Sequence, residues 1–139
     1  MSREILFRGK SKAQGSEWLY GDVLVYENSA QIWETINNRK HNSVVALETV
    51  GQYTGLTDKN GKKIFEGDIV KETVYFGAGR ERDLISVIEY GIGYAYSNVC
   101  GVCQKFRDGS GGAMLSVDKN GTAYCEVIGN IHDNPELLN

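Results

Sequence analysis

The sequence contains few of the cysteines and histidines that crosslink small proteins or bind metals, and it has no long apolar segment. Its 139 residues include one proline, two histidines and three cysteines. Three cysteines indicate reduced thiols rather than a disulfide framework. No apolar run reaches the ~18 residues of a membrane span, and the start MSREILFRGKSK lacks the apolar core of a signal peptide. These absences predict a cytoplasmic protein with no membrane association.

The composition favours β-strands over helices. Hydrophobic residues make up 41% of the chain and charged residues 24%, which excludes an intrinsically disordered chain. The β-branched and aromatic residues outnumber the helix-favouring alanine, leucine and methionine. Seventeen glycines beside a single proline indicate many tight turns and bulges. We therefore expect one mainly-β domain over residues 1–139, with roughly seven to nine short antiparallel strands, minimal helix and a small barrel or pseudobarrel architecture.

Alternating apolar residues predict where several strands lie. Residues 3–27 are typical of a long hairpin, and both alternating phases of residues 17–27 are apolar, which predicts partial burial of both faces. Residues 28–38 fit either a strand or a short helix, and we favour a strand because isoleucine, tryptophan and threonine dominate there. The polar stretches 37–42 and 77–83 are predicted to be loops.

The tetrapeptide Asp-Lys-Asn-Gly occurs twice, at residues 58–61 and 118–121. In each copy the aspartate can accept a hydrogen bond from the backbone two residues further along. The glycine supplies the left-handed backbone conformation that a short hairpin loop needs. We interpret the recurrence as two hairpins that use the same turn rather than as evidence of duplication.

Four segments resemble a known family. They are residues 3–10, residues 18–21, the central block 49–70, which is TVGQYTGLTDKNGKKIFEGDIV, and the tail 126–138. Together they are similar to the YopX-like proteins of bacterial phages and prophages. The central block is the most specific of the four, because so many glycines and aspartates are fixed within it.

The resemblance implies a phage-encoded, intracellular, mainly-β protein with an SH3-like or pseudobarrel region. It implies no known reaction, no cofactor and no catalytic residues, so no functional residue is transferred from the family. Within the central block, Gly67 and Asp68 resemble the turn that leads into a strand of SH3-like barrels. Glycine permits the tight entry and Asp68 can accept hydrogen bonds from backbone amides of the turn, which is an architectural role.

Two constellations could carry chemistry or binding. Cys100 and Cys103 form a C-x-x-C pair, and Cys125 and His132 downstream could complete a zinc site. Against zinc, the second close pair of ligands is missing, so small buried thiols are the favoured interpretation. No arrangement of serine, histidine and an acid is present as a motif, and we expect no enzyme activity.

The second constellation is basic. Residues 1–12 carry four cations, Arg3, Arg8, Lys10 and Lys12, against one acid, although the whole chain has a net charge of −3. A basic strand beside Trp18 and Tyr20 could bind single-stranded nucleic acid through phosphates and base stacking. The acidic balance of the whole chain argues against this, because nucleic-acid-binding domains are usually basic.

Three functions follow as hypotheses. The leading hypothesis is a non-enzymatic interaction module that binds a protein partner or a second copy of itself, since tyrosine and tryptophan are good interface anchors. The first alternative is a single-stranded nucleic-acid-binding β-barrel protein that uses the basic residues of segment 1–12. The second alternative is a zinc-supported protein through Cys100, Cys103, Cys125 and His132.

Overall fold

The structure is a computed structural model that describes residues 4–13, 16–92 and 100–139. Within these residues the chain forms eleven β-strands, two 3₁₀ helices and no α-helix. The strands are β1 (Phe7–Lys10), β2 (Trp18–Tyr26), β3 (Ser29–Ile36), β4 (Arg39–Val45), β5 (Gly51–Thr57), β6 (Lys63–Phe65), β7 (Asp68–Tyr75), β8 (Glu81–Ile92), β9 (Cys100–Phe106), β10 (Gly112–Met114) and β11 (Glu126–Asn130), and the 3₁₀ helices are Leu47–Thr49 and Pro135–Leu138. None of the described helices is long and apolar enough to cross a membrane.

The mainly-β class predicted from composition is confirmed. The strands form two antiparallel sheets, and the described strands do not close into a barrel, so the barrel and SH3-like details stay predictions. Eleven strands exceed the expected number. The chain divides into two compact units, Met1–Tyr53 and Thr54–Asn139, with β5 running from the first into the second. Whether residues 1–139 fold as one domain stays a prediction.

The first unit is an antiparallel sheet in the order β4-β3-β2-β1, and the start of β5 pairs with β1. The register places Ala30 opposite both Val25 and Val45, so these residues share one face, which we call the inner face. Its buried core consists of Leu19, Ala30, Ile32 and Val45, with Phe7, Val23, Leu47 and Val50 packed against it. The strand favoured for residues 28–38 and the hairpin of β1 and β2 are therefore confirmed.

Strand β4 contradicts the loop predicted over residues 37–42. It pairs with β3 along its whole length, from Arg39 opposite Ile36 to Val45 opposite Ala30. Because β4 is the last strand of its sheet, most of its side chains are exposed and its sequence shows no apolar alternation. The polar composition therefore reflects an exposed edge strand.

The second unit is built around a sheet in the order β10-β9-β8-β7-β11, with β6 alongside the later part of β5. The pairing of β7 with β11 contains an irregularity between Val127 and Gly129, where the register shifts. Its buried core consists of Ile64, Val70, Ile88, Leu115, Ala123 and Cys125, with Leu56, Val102 and Val127 packed against it. Apolar side chains from several strands thus hold this unit together, with no α-helix among the residues described.

The two Asp-Lys-Asn-Gly segments adopt the same turn, as predicted. The Oδ1 atom of Asp58 accepts hydrogen bonds from the backbone N–H groups of Asn60 (2.8 Å) and Lys62 (2.9 Å). The Oδ1 atom of Asp118 accepts from the N–H groups at the same spacing, at 2.8 and 3.0 Å. Gly61 and Gly121 both have left-handed φ angles, of +83° and +78°.

The first of these turns also forms a hydrogen bond with strand β11. The Oδ2 atom of Asp58 accepts a hydrogen bond of 2.9 Å from the N–H of Val127, and Asp58 is only 1% exposed. Thr57 forms a parallel bridge with Thr122, directly after the second copy of the tetrapeptide. One aspartate therefore caps its own turn and holds a distant strand.

Asp68 has the architectural role that the sequence predicts. Its Oδ2 atom accepts a hydrogen bond of 2.8 Å from the N–H of Phe65, which closes the turn into β7. Gly67, between them, has a φ of +87°, and the Asp68 side chain is buried. The carboxylate therefore shapes the chain here.

Candidate interaction surface

The basic residues predicted to bind nucleic acid lie beside Trp18. The guanidinium of Arg8 stacks over the Trp18 ring, 4.6 Å from its centroid, and the Lys10 ammonium lies 5.9 Å from the same centroid. The strand register explains the contact between Lys10 and Trp18, because these two residues are directly opposite each other in the β1–β2 pair. Arg8 is only 6% exposed, so it offers little surface to a phosphate, whereas Lys12 is exposed. Arg3 lies outside the described residues.

Two of the cysteines predicted as zinc ligands are buried. Cys103 and Cys125 are free thiols with 0% and 1% exposure, and Cys125 belongs to the core of the second unit. Cys100 pairs through its backbone with Ile92, and its side chain lies outside the described part of the structure. Among the described residues no group of three or more His, Cys, Asp or Glu could hold a metal ion. The zinc hypothesis therefore stays a prediction.

Burial raises the pKa of the Cys125 thiol to about 11, and the carboxylates of Glu72, Asp58 and Asp68 act in the same direction. Zinc binding and nucleophilic chemistry need the thiolate, which this site disfavours. Because the pKa of Cys125 is raised from 9.0 to about 11 on folding, its contribution to stability is fully present below pH 9 and is lost as pH rises towards 11.

We expect Cys103 and Cys125 of the Cys100→Ser variant to resist labelling by a thiol-specific reagent at neutral pH. Both should react only when the chain unfolds, because both thiols are buried and the thiolate of Cys125 is disfavoured. The measurement is the rate of labelling, followed by mass spectrometry, in native buffer and in denaturant. Adding Cys125→Ser should remove one label from the denatured protein only. Fast labelling of Cys125 in native buffer would contradict its placement in the core.

A cleft of about 250 Å³ lies at the start of β8 and the end of β9. Its lining residues are Arg82, Asp83, Leu84, Ile85, Phe106, Arg107 and Asp108. The pKa of Asp108 is lowered, first by its hydrogen bonds with Ser110 and further by the charges of Arg82 and Arg107. Two cations and two carboxylates thus balance each other in the cleft, and its lining holds no serine, cysteine or histidine.

The outward side of strands β2, β3 and β4 carries exposed apolar side chains. Register settles which residues share this side, because Leu24 is opposite Gln31 and Gln31 is opposite Val44. Trp33 lies on the same side of the central strand and is half-buried. We define the outer face as Tyr20, Leu24, Tyr26, Trp33 and Val44, with the polar residues Asp22, Gln31, Lys40 and Asn42 among them.

Solvent reaches the apolar part of the outer face. Leu24 is 41% exposed, Tyr26 50% and Val44 48%. Paired polar groups accompany them: the Lys40 ammonium donates to Asp22 Oδ2 at 3.2 Å, and the side-chain amide of Asn42 donates to Gln31 Oε1 at 3.2 Å. Exposed aliphatic and tyrosine side chains around a tryptophan, with polar groups beside them, are typical of a protein–protein interface.

The sequence alone indicates one part of the outer face, the strand β2. Both phases of β2 are apolar, and the structure turns Val23 and Leu19 inwards and Leu24 and Tyr26 outwards. The sequence alone does not predict the outer face, because the loop predicted over residues 37–42 covers most of β4 and no sequence pattern gives the pairing partner of Val44. Pairing with β3 is what brings Val44 to the row of Leu24.

The whole chain can be compared with known proteins. The family model of the YopX protein matches residues 6–139. The chain belongs to the YopX family. The sequence resemblance to that family is therefore confirmed, and it extends beyond the four segments that suggested it.

The fold of this YopX-family chain also has a solved counterpart. The crystal structure of protein EF1440 from Enterococcus faecalis matches 99% of this chain and 100% of that chain, with 25% sequence identity and a TM-score of 0.55. None of the curated proteins compared with the chain matches it significantly. The comparisons therefore give the family and support the fold.

Proposed function

We propose that this YopX-family protein is a non-enzymatic interaction module that binds a second copy of itself through the outer face. The observation that carries the proposal is the exposure of Leu24, Tyr26 and Val44 around Trp33 on three paired strands. Burying such side chains against a partner removes apolar surface from water, which is the main driving force of association.

Charge favours a second copy over an unrelated partner. Asp22 and Lys40 form an ion pair on the outer face, so this face carries both signs close together. A two-fold axis through the face would set Asp22 of one copy near Lys40 of the other, and the same patch would serve both copies. Such an interface is self-complementary and needs no partner of a particular charge.

The mass of the protein in solution tests this proposal. We expect a dimer, with twice the 15.4 kDa of one chain, in light scattering and in sedimentation velocity at micromolar concentration. The double variant Leu24→Asp/Val44→Asp should be a monomer with an unchanged circular dichroism spectrum, because both positions are exposed and tolerate a charge in the monomer.

The matched control is Val25→Asp. Val25 follows Leu24 directly, is 52% exposed, and lies on the inner face opposite Ala30. This variant should remain a dimer. A wild-type monomer at every concentration, or equal loss of the dimer in Val25→Asp and Leu24→Asp/Val44→Asp, would show that the outer face is not the interface.

The remaining parts of the proposal come from the family resemblance. We propose that the protein is encoded by a phage or prophage and acts in the cytoplasm of the bacterial host. We also propose that the segment entering β7 is an SH3-like element of a pseudobarrel. The hydrogen bond from the Phe65 N–H to Asp68, at a turn with left-handed Gly67, supports this.

The two alternatives are less well supported. Arg8 packs against Trp18 with little exposure, which disfavours phosphate binding by the segment 1–12. The buried Cys125, with its raised pKa, disfavours zinc. Elemental analysis of the purified protein tests the zinc alternative, and one zinc per chain would establish it.

A further inference from the structure

The hairpin between β7 and β8 presents two neighbouring aromatic rings to solvent. Tyr75 is 74% exposed and Phe76 is 52% exposed, and they are the last residues before the hairpin loop 77–79. The sequence predicts a loop over residues 77–83, but β8 begins at Glu81, so the charged residues 81–83 belong to the strand. The loop is therefore short, and the two rings stand at its tip.

Two arginines share this tip with the rings. The guanidinium groups of Arg80 and Arg82 lie 6.0 and 5.9 Å from the centroid of the Phe76 ring. Arg82 is opposite Val74, so it projects on the same side of the hairpin as Phe76, whereas Tyr75 is opposite Glu81 on the other side. Both arginines are exposed, so their charges remain available to a ligand.

The backbone of the loop is closed by two hydrogen bonds. The N–H of Phe76 donates to the carbonyl of Arg80 at 3.2 Å, and the N–H of Arg80 donates to the carbonyl of Gly77 at 2.9 Å. Ala78 is held at a φ of +52°, in the left-handed region that favours glycine. The closed turn holds Phe76 and Arg80 at its two ends, which lowers the entropic cost of ordering them in a complex.

We propose that this tip, comprising Tyr75, Phe76, Arg80 and Arg82, binds single-stranded nucleic acid. Aromatic rings that stack unpaired bases and arginines that neutralise the phosphates beside them are the two components of such sites. Phe76 is the stacking platform, because its exposed ring lies on the same side of the hairpin as both arginines. Arg80 and Arg82, which flank Phe76, contact the phosphates.

Nearby acids limit the site to the tip. Glu81 faces Tyr75 across the hairpin, and Asp83 accepts a hydrogen bond of 3.0 Å from Thr73. Arg82 also lines the cleft described above, and the carboxylates of Asp83 and Asp108 in that cleft would repel a phosphate. A short contact of one or two nucleotides therefore fits the charges, and a long basic track does not.

The test is the fluorescence anisotropy of a labelled oligothymidine titrated with the full-length protein at low salt. We expect binding that weakens as salt is raised, since phosphate contacts release counterions. Phe76→Ala should weaken binding about tenfold, the lower part of the range for loss of one stacked base. Arg80→Gln/Arg82→Gln should weaken binding and flatten its salt dependence.

Matched controls come from the same unit. Lys59→Gln/Lys119→Gln removes two exposed charges from the Asp-Lys-Asn-Gly turns, and Tyr124→Ala removes a ring that is 57% exposed. Neither control should change the affinity by more than about twofold, because neither touches the tip. The outer-face variant Leu24→Asp/Val44→Asp should bind as the wild type does, which separates this proposal from that of the dimer.

Three results would overturn the proposal. The first is no anisotropy change with the wild-type protein at low salt. The second is equal weakening by the tip variants and by their controls, which would mean that binding is not specific to the tip. The third is a loss confined to Lys10→Gln/Lys12→Gln, which would place the contact at the amino-terminal basic segment instead.

Discussion

Asp58→Ala is expected to destabilise the second unit by about 3 kcal/mol, because three backbone N–H groups lose their acceptor at once. These are the N–H groups of Asn60, Lys62 and Val127, all within 2.9 Å of the carboxylate. A partly buried donor without an acceptor costs far more than an exposed one, since no water replaces the carboxylate. For a chain of this size the melting temperature should fall by roughly 10 °C.

The repeated tetrapeptide provides the control. Asp118→Ala removes an aspartate that is followed by the same three residues and accepts the same two turn hydrogen bonds, but has no third bond to a distant strand. It should cost about 1 kcal/mol. Native-state hydrogen exchange locates the difference, because Asp58→Ala should speed exchange at the Val127 amide and Asp118→Ala should not. Equal costs for the two variants would mean that the bond to Val127 adds nothing.

Gly21→Ala is expected to destabilise the first unit by about 3 kcal/mol or more. A Cβ at this position would overlap the carbonyl oxygen of Trp33 and lie 2.8 Å from its carbonyl carbon. These are backbone atoms of β3, so the overlap is relieved only by separating β2 from β3. Chemical denaturation followed by tryptophan fluorescence measures the loss, since Trp18 and Trp33 both lie in this unit.

Gly9→Ala is the graded comparison within the same unit. Its Cβ would lie 2.8 Å from Cγ2 and 3.0 Å from Cβ of the buried Val45, both of them side-chain atoms. A side chain yields more readily than a backbone, so this variant should cost about 1–2 kcal/mol. If Gly9→Ala proved the more damaging of the two, the close approach of β2 to the Trp33 carbonyl would not be the constraint that we infer.

The sequence predicted best where local chemistry alone determines the structure. The turn at Asp58 depends on groups within four residues, so its hydrogen bonds followed from the tetrapeptide. The bond from Asp58 to Val127 joins residues 69 positions apart, and no local pattern contains it. The strand assignment of residues 28–38 succeeded for the same local reason, because β-branched and aromatic residues dominate there.

The interaction surfaces depend on pairing, and pairing was not predictable. Val44 and Leu24 share a row only because β4 pairs with β3 and β3 with β2. The sequence of β4 shows no alternation of apolar and polar residues, because an exposed edge strand buries few side chains. The alternation pattern therefore does not predict this strand. The tip of the β7–β8 hairpin could not be predicted either. The register of β7 and β8 places Arg82 and Phe76 on one side of the hairpin, and the sequence does not give that register.

The basic sequence of β4 has a consequence for assembly in the crowded cell. Unprotected strand borders invite stacking of like molecules into fibres, and lysine and arginine along such a border oppose this. In a parallel, in-register ladder of β4 strands, Arg39 would lie beside its own copy, and repulsion between these cations would oppose growth of the ladder. The polarity of this edge strand therefore disfavours edge-to-edge stacking, and the outer face, through which we propose dimerisation, lies on the broad side of the same sheet.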